Sequence, residues 1–363
     1  MERMHYIGAD AHCASTDLAV VTQTGRLTGR DRCTTTIPDL ARCIERVRRP
    51  RQVIVEEGPL ADWIFRGLGA LGETVVVCNP RRNALIAKAG DKDDAIDAEK
   101  LAQLARGGYL EPVHHPESTA RMQLKRLVAA YHDRVRNRVR QANRIMAEFR
   151  QQGVFIHENA FAEPDKRPAL LRRLPGSLLV RDTLAIYLTG YEAAVLQEEQ
   201  LRRKLVQRAR RQEPIRRFVA LPGVRWIRAA TFYAFVDAPF RFKTKQALWK
   251  YVGIGLERHQ SGGPLQPAAL RVTRGGNRIL KDMILGAAKS AIASRKDRTF
   301  ADMYGRWLDQ GISPRNARRN VARSLAAILW SIWKTGATYR PERVGVATRS
   351  LAATLSDRVS SRF

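Results

Sequence analysis

The stretch that decides the fold is Tyr6-Ile-Gly-Ala-Asp10, a short apolar run that ends in an acidic residue. A second β-rich run, Leu18-Ala-Val-Val-Thr22, leads into Gln23-Thr-Gly-Arg26, where a glycine gives the backbone the freedom of a hairpin turn. Residues 4 to 36 therefore predict a meander of three strands. The apolar run that ends in an acid returns in Gln52-Val-Ile-Val-Glu56, which predicts a buried fourth strand.

Helical patterns separate the later strands. Pro38 opens a segment of helical period, and further helices are predicted over residues 60–71 and 81–88, with a buried strand at Thr74-Val-Val-Val-Cys78 between them. Strands that alternate with helices imply parallel pairing and a sheet covered on at least one face. The resulting order of elements is that of a ribonuclease H-like domain, so we expect an α/β domain of that type.

The remainder of the chain is predicted to be mainly helical. Apolar residues at three- and four-residue spacing predict one long helix over 121–152 and a second over 182–211, with a break around Gly153. Farther on, Leu221-Pro-Gly-Val224 resembles the turn of a helix-hairpin-helix module, and a polar loop is predicted over 257–264. Helices are expected over 227–236, from 245 into Gly253-Ile-Gly-Leu256, over 278–294 and over 315–333.

The length of 363 residues allows several hydrophobic cores. We expect four regions: a catalytic domain over 1–112, a helical spacer or dimerisation region over 113–215, a C-terminal domain over 216–340 and a disordered tail over 341–363.

The charge of the chain is strongly positive. It has 64 Lys and Arg against 35 Asp and Glu, a net charge of +29, together with 44% hydrophobic residues that indicate a folded protein. A surface of this kind attracts nucleic acid by releasing counterions from phosphates, and this attraction does not distinguish DNA from RNA. A membrane protein is disfavoured because no run approaches the roughly 20 apolar residues of a spanning helix, and no signal peptide is predicted. The four cysteines have no Cys-x-x-Cys spacing, so we expect reduced, cytosolic thiols.

Basic residues concentrate on the first long helix. Residues 121–152 hold nine Lys or Arg and two acids. This composition favours either a solvated coiled-coil face or an arm that contacts phosphates, and one helix can serve both purposes. Candidate contacts are Arg134 and Arg138 here and Arg318 on the last helix, while Arg274, Asn277 and Arg278 are candidates at a glycine-rich helix start. Ordinary capping is the alternative for this last group.

Four acids form the candidate catalytic cluster. Asp10 and Glu56 end strands that are adjacent and parallel in a ribonuclease H-like sheet, so both side chains should emerge at one edge. Asp94 and Asp97 are three residues apart and share a face if that segment is helical. Converging carboxylates suit Mg²⁺, either as one ion or as two about 4 Å apart.

Each acid also has a simpler interpretation. Asp10 suits a turn cap, and Asp94 suits the first turn of a helix. Glu57 competes with Glu56, which we prefer because alternation from Ile54 places Glu56 on the same face. The metal interpretation is favoured by the four positions taken together.

A set of ordered motifs resembles the DEDD insertion-sequence transposases of the one-ten family, also called bridge-RNA-guided recombinases. The motifs cover nearly the whole chain, and they are Ile7-Gly-Ala-Asp10, Val55-Glu56, Asn79-Pro80, Lys92-Asp-Asp-Ala-Ile-Asp-Ala98, Leu221-Pro-Gly-Val224, Gly253-Ile-Gly-Leu256, Gln260-Ser-Gly-Gly263 and Thr273-Arg-Gly-Gly-Asn-Arg-Ile-Leu280. The chain departs from the family's commonest pattern at Glu57-Gly-Pro59 and at Pro264.

The resemblance implies a Holliday-junction-resolvase-like N-terminal domain whose DEDD acids are Asp10, Glu56, Asp94 and Asp97. It also implies a C-terminal transposase domain in which Ser261 matches the nucleophilic serine. Its further implications are donor and target DNA as substrates, a noncoding guide RNA, and assembly as a homo-oligomer, either dimer or tetramer. A turn serine is the alternative for Ser261.

Two other functions fit the same residues. A resolvase-like endonuclease would cut with metal-activated water and would form no protein–DNA bond. A non-catalytic nucleic-acid-binding protein would keep the fold without chemistry, and the intact set of four acids argues against it.

Overall fold

The computed structural model describes residues 4–80, 94–116, 118–174, 178–259, 269–342 and 344, without the side chains of 94, 95, 258, 259, 269 and 270. The predicted helix over 81–88 and most of the tail that was expected to be disordered lie outside these residues. The chain divides into two compact units, Met1–Pro116 and Glu117–Phe363. The finer domain boundaries remain predictions.

The first unit is built on a five-stranded sheet. Its strands are β1 (His5–Ala11), β2 (Ser15–Thr22), β3 (Leu27–Thr34), β4 (Arg51–Glu56) and β5 (Val75–Cys78). The order across the sheet is β3-β2-β1-β4-β5, with the first three strands antiparallel and both β1–β4 and β4–β5 parallel. The predicted meander, the fourth and fifth strands and their parallel pairing are thereby confirmed.

Helices cover both faces of this sheet. They are α1 (Ile37–Glu45), α2 (Ala61–Ala70) and α3 (Asp94–Arg106). One face packs in a core with α1 and α2, and its buried strand residues are Ile7, Ala9, Leu18, Val53, Val55, Val75 and Val77. The opposite face places Ile54 and Cys78 against Leu101 of α3. Burial on both faces explains why β4 and β5 are continuous apolar runs in the sequence.

The close packing of α3 on β1 requires a glycine. A Cβ atom at Gly8 would lie 1.9 Å from the carbonyl oxygen of Ala98 and 2.9 Å from the backbone nitrogen of Ala102. Helix and strand therefore approach each other backbone to backbone at this point.

The direction of α3 follows from two contacts. Gln103, near the end of the helix, donates a hydrogen bond to the Gly25 carbonyl at 2.9 Å, and Gly25 lies in the β2–β3 turn at the amino end of β1. Arg30 pairs with Glu99 of α3 at 2.6 Å, at the level of Gly8. The helix thus runs opposite to β1, so its first turn lies toward the carboxyl end of β1, where Asp10 is found.

The second unit is mainly helical. Its helices are α4 (Thr119–Gln151), α5 (Asn159–Ala162), α6 (Arg167–Arg172), α7 (Leu178–Arg210), α8 (Glu213–Phe218), α9 (Trp226–Val236), α10 (Lys245–Val252), α11 (Arg278–Ile292), α12 (Thr299–Asp309) and α13 (Pro314–Thr335). The two 33-residue helices α4 and α7 pack antiparallel, because Leu124 shares a core with Leu205 whereas Phe149 shares one with Leu184. Gly153, with φ 73°, ends the first long helix as predicted.

The second unit contains several elements that the sequence did not predict. The loop expected over 257–264 is wrong for Glu257 to His259, which belong to β6 (Leu256–His259) and pair antiparallel with β7 (Ala269–Val272). The short helices α5, α6 and α8 and the longer helix α12 were not predicted either. A strand whose partner lies beyond an intervening segment carries little local signal, which accounts for the missed pair.

The turn at Leu221-Pro-Gly-Val224 joins α8 to α9 and packs on α11. Gly223 has φ 75°, and a Cβ atom there would lie 2.2 Å from the carbonyl oxygen of Ala287. The helix that follows the turn was predicted, and the helix-hairpin-helix interpretation stays a prediction beside that of an ordinary turn.

Among the helices that the structure describes, none combines the length and the apolar character needed to cross a bilayer. The four cysteines, at positions 13, 33, 43 and 78, are free thiols.

Replacing Gly8 with alanine should destabilise the first unit. The new Cβ atom overlaps the Ala98 carbonyl, so α3 must move away from the sheet, at a cost of about 1–3 kcal/mol. Urea unfolding of the full chain measures this change. Gly29→Ala is the matched control in the same sheet, since the nearest atom to its Cβ lies at 4.0 Å. Its stability should stay within about 1 kcal/mol of the parent; equal effects of the two substitutions would contradict the close-approach argument.

Candidate active site at the carboxyl edge of the sheet

One row of residues crosses all five strands near the carboxyl end of β1. Asp10 pairs with Asp17, Asp17 pairs with Arg32, and Glu56 pairs with Cys78. The parallel register of β1 and β4 runs up to the residues just before Asp10 and Glu56, so these two acids are neighbours. Because side chains alternate between faces, the row lies on the face that α3 covers. The sheet thus brings Asp10 and Glu56 to one edge.

Asp10 is held by a local hydrogen bond. Nε2 of His12 lies 3.2 Å from Oδ2 of Asp10, and the Asp10 side chain is 23% exposed whereas that of His12 is 54% exposed. The carboxylate is therefore partly open to solvent and has a second polar group beside it.

Glu56 and Glu57 occupy different positions. Glu56 is the last residue of β4 and is half-buried, whereas Glu57 is exposed and lies beyond the strand. The backbone N–H of Glu57 donates to the Cys78 carbonyl at 2.8 Å, which ends the pairing with β5. Only Glu56 belongs to the row that contains Asp10.

The other two acids of the predicted set belong to the first turn of α3. Asp94 is the first residue of α3, and its side chain is not described. Asp97 accepts a hydrogen bond from Nζ of Lys100 at 3.0 Å, and its side chain is 47% exposed. Since α3 runs opposite to β1, its first turn lies at the Asp10 end of the strand.

Asp17 is an acid of this edge that the sequence reasoning missed. It is 7% exposed, and its Oδ2 lies 3.7 Å from Nε of Arg32. A buried carboxylate directly opposite Asp10 adds negative potential to the edge, which Arg32 only partly offsets. The alternation of β2 from Leu18 contained the necessary signal, but only together with the register of β1 and β2.

The donor chemistry of this edge fits a hard cation. Carboxylate oxygens are the ligands that Mg²⁺ takes in proteins. Among the side chains that the structure describes, which exclude that of Asp94, no group of three His, Cys, Asp or Glu converges closely enough to hold a metal ion. What the structure provides is a common edge and a common face for Asp10 and Glu56, with the first turn of α3, which contains Asp97, at the same end of β1.

The predicted serine lies in a different unit. Ser261 is outside the described residues, in the segment 260–268 that joins β6 to β7. The strands on either side pair directly, with His259 opposite Ala269. Ser261 therefore belongs to the connection of a two-stranded ribbon.

Two glycine motifs meet at the base of this ribbon. A Cβ atom at Gly276 would lie 2.6 Å from the backbone nitrogen of Gly253, and Asn277 donates its backbone N–H to the Tyr251 carbonyl at 2.7 Å. The backbone N–H of Thr273 donates to the Gly255 carbonyl at 3.0 Å. These contacts give the motifs around residues 253 and 276 a shared structural role.

Two of the predicted nucleic-acid contacts already have partners within the protein. Arg134 pairs with Asp133 and donates to Gln197 at 3.2 Å, and Arg138 donates to Glu198 at 2.7 Å and also pairs with Glu158. The contacts with Gln197, Glu198 and Glu158 link α4 to its neighbours, and both guanidinium groups are engaged.

The remaining candidates lie near helix starts. Asn277 caps α11, because its Oδ1 accepts a hydrogen bond from the Leu280 backbone at 3.0 Å. Arg274, Arg278 and Arg318 are exposed, and the described part of the chain contains no ion-pair partner for them. These three guanidinium groups are accessible to an anionic ligand.

Comparisons with known proteins agree with the order of the motifs. A family model of IS110-type DEDD transposases matches residues 7–152, and the model of the IS116/IS110/IS902 transposase family matches residues 215–305. Residues 7–152 span the acidic edge, and residues 215–305 span the ribbon.

Three curated relatives are transposases by name. The chain is 27% identical to y4pF/y4sB of Sinorhizobium fredii over 76% of this chain and 70% of that protein. It is 27% identical to a family 20 transposase of Pseudomonas aeruginosa over 80% of this chain and 86% of that protein. It is 23% identical to the transposase of insertion sequence element IS1111A of Coxiella burnetii over 79% of both.

Among solved structures, the chain is similar to T. thermophilus RuvC, solved in complex with a Holliday junction substrate. The identity is 18% over 30% of this chain and 99% of that chain, with a TM-score of 0.23. A likeness of this size carries no argument, so the fold rests on the strand pairing described above. The two family models and the three relatives together establish that the chain belongs to the IS116/IS110/IS902 family of transposases, enzymes that cut and rejoin DNA.

Proposed function

We propose that this transposase cuts and rejoins DNA with two groups of residues: the carboxylates Asp10, Glu56, Asp94 and Asp97, which hold Mg²⁺, and the hydroxyl of Ser261, which bonds to DNA. The observation that carries the proposal is the row across the sheet in which Asp10 and Glu56 are neighbours on the face covered by α3. The strand order β3-β2-β1-β4-β5 supports a ribonuclease H-like domain.

The acids would act by holding the cation and orienting the phosphate. Asp10, which hydrogen-bonds with His12, and Glu56 would bind the cation from the sheet, and Asp94 and Asp97 would bind it from the first turn of α3. When bound, one or two Mg²⁺ ions supply the positive charge that stabilises the attacking and leaving oxygens of a phosphodiester.

The serine would conserve the energy of the broken bond. Its hydroxyl loses a proton, its oxygen forms an ester bond to a DNA phosphorus, and the bond from that phosphorus to one sugar oxygen breaks as that oxygen takes up a proton. In the joining step a sugar hydroxyl of another strand attacks the phosphoserine, and the serine regains its proton. Each step exchanges one phosphoester bond for another, so no external energy source is needed.

Nucleic acid would be bound by the exposed arginines of the second unit. Arg274, Arg278 and Arg318 are accessible, and the net charge of +29 suits polyanionic partners, for which we propose donor DNA, target DNA and a noncoding guide RNA. Arg134 and Arg138 would contact phosphate by exchanging the partners described above, whereas Asn277 would donate from its amide nitrogen while its Oδ1 keeps the cap.

Assembly as a homo-oligomer, either dimer or tetramer, is part of the proposal. Helix α7 exposes large apolar side chains, and these include Leu179, Ile186 and Leu196, which are 73%, 71% and 59% exposed. Exposed apolar residues along one long helix are typical of a surface that packs against another chain.

Glu56 and Glu57 provide a matched pair for testing the acidic site. Glu56→Gln should lower strand cleavage by about 100-fold or more, because it removes a carboxylate from the row, whereas Glu57→Gln should stay within a few-fold of the parent. Calorimetric titration with Mn²⁺ is the second measurement, and it should show weaker binding only for Glu56→Gln. Loss of activity and Mn²⁺ binding in Glu57→Gln alone would move the site to the neighbouring residue.

A covalent adduct tests the serine. The full chain incubated with labelled DNA from the ends of its own element should retain label on a denaturing gel, and Ser261→Ala should abolish this signal. Ser331→Ala, at an exposed position of α13, is the control and should behave as the parent. Cleavage with no adduct in the parent would instead favour the endonuclease that uses metal-activated water.

The guide RNA is tested by sequencing nucleic acid that copurifies with the chain after a wash at high salt, about 1 M, which screens nonspecific contacts. A discrete transcript encoded beside the gene is the expected result. A random mixture of fragments would argue against a guide and leave the DNA chemistry of the two previous experiments unaffected.

A further inference from the structure

A groove in the second unit lies between the last turns of α7 and the start of α9. Its volume is about 490 Å³, and its lining includes Arg202, Arg203, Val206, Arg210, Arg225 and Trp226. This volume falls within the range of about 300–1,000 Å³ that is usual for ligand pockets. We call it the α7–α9 groove.

The charge of the groove is positive and incompletely neutralised. No acidic side chain lines it, and Arg202 and Arg203 share the single carboxylate of Glu199, at 3.2 and 3.0 Å. Arg210 and Arg225 are exposed, and the described residues include no ion-pair partner for either of them. Two guanidinium groups are thus available to an anion from outside.

The groove also contains an aromatic surface. Trp226 is half-buried, with part of its ring packed on the large core of the unit and with the guanidinium of Arg210 5.5 Å from the ring centroid. Unpaired bases stack on tryptophan rings and on arginine planes. A layered arginine and tryptophan therefore suits a base that is not enclosed in a duplex.

The backbone contributes further donors at the same place. Arg225 is the N-cap of the 11-residue helix α9 and makes no side-chain cap hydrogen bond. The first backbone N–H groups of a helix have no intrahelical acceptor, and the helix dipole favours an anion there. Phosphate at this position would meet both the Arg225 guanidinium and the helix start.

We propose that the α7–α9 groove binds a single-stranded segment of nucleic acid, with one base against Trp226 and neighbouring phosphates at Arg210 and Arg225. The inference rests on the proposed function, in which nucleic acid is the partner. It adds where on the protein the nucleic acid binds and that the bound segment is single-stranded. A duplex would offer phosphates alone and leave the tryptophan face unused. The chain's own residues 345–363 carry three arginines and one aspartate, so their charge does not suit this groove.

The test measures binding of labelled oligo(dT) and oligo(U), each about 12 nucleotides long, to the full chain by fluorescence anisotropy at several salt concentrations. Arg210→Gln combined with Arg225→Gln should reduce the slope of log affinity against log salt by about 1.4, since each lost phosphate contact lowers it by about 0.7. The control, Arg172→Gln combined with Arg173→Gln, removes the same charge from exposed positions at the end of α6 and should leave the slope close to the parent.

Substitutions of Trp226 distinguish the contribution of base stacking to binding from the contribution of charge. Trp226→Leu should weaken oligonucleotide binding by about 5-fold or more without changing the salt slope, and Trp226→Phe should restore most of the affinity. Circular dichroism melting shows whether the leucine variant keeps the fold. If it does not, the proposal is judged on the variant that combines Arg210→Gln and Arg225→Gln, since both of these residues are exposed.

The outcomes are distinct. Loss of binding to both oligonucleotides in the groove variants supports a groove that accepts DNA and RNA alike. Loss of binding to only one of them supports the groove and identifies that nucleic acid as its ligand. Unchanged binding in the groove variants, or an equal loss in the α6 control, overturns it. Binding by the groove variants that matches the parent, combined with normal adduct formation at Ser261, would reject the groove while the proposed chemistry stands. Failure of the parent to form the adduct concerns the proposed function alone.

Discussion

The close approach of Gly8 to the Ala98 carbonyl is the constraint on which the first unit depends. It lets α3 lie directly on β1, with small residues along the contact, and it allows Leu101 to reach Ile54 and Cys78. A helix held farther from the sheet would lose these contacts and would carry its first turn away from the acidic edge. The position of two of the four proposed ligands therefore depends on a residue that has no side chain.

The sheet could be predicted because its evidence is local. An apolar run that ends in an acid indicates both the strand and an acid at or next to its carboxyl end, so the positions of Asp10 and Glu56 in the sheet could be predicted from alternation and order alone. Asp17 was missed because its position beside Asp10 depends on the register between β1 and β2, which neither strand states by itself. The pairing of β6 with β7 was missed for the same reason, since its two strands are separated by residues 260–268.

The basic residues show a similar limit. Composition favoured either a solvated coiled-coil face or a phosphate-contacting arm for the long helix over 121–152, and Arg138 of this helix donates to Glu198 of α7 and pairs with Glu158. The number of charged residues along a sequence does not show which of them already have partners in the folded chain. The sequence does not predict that Arg210 and Arg225 lie close together, because the groove they share with Trp226 is formed by two helices that meet only in the folded chain.

The paired ends of the β6–β7 ribbon limit how far Ser261 can travel. His259 is opposite Ala269, and the serine follows His259 by two residues. A fully extended chain advances at most about 3.6 Å per residue, so the Cα atom of Ser261 stays within roughly 7 Å of that of His259. The proposal for Ser261 therefore requires that the strand to be cut is brought to the serine, and accurate delivery of the DNA becomes a task for the partners that position it.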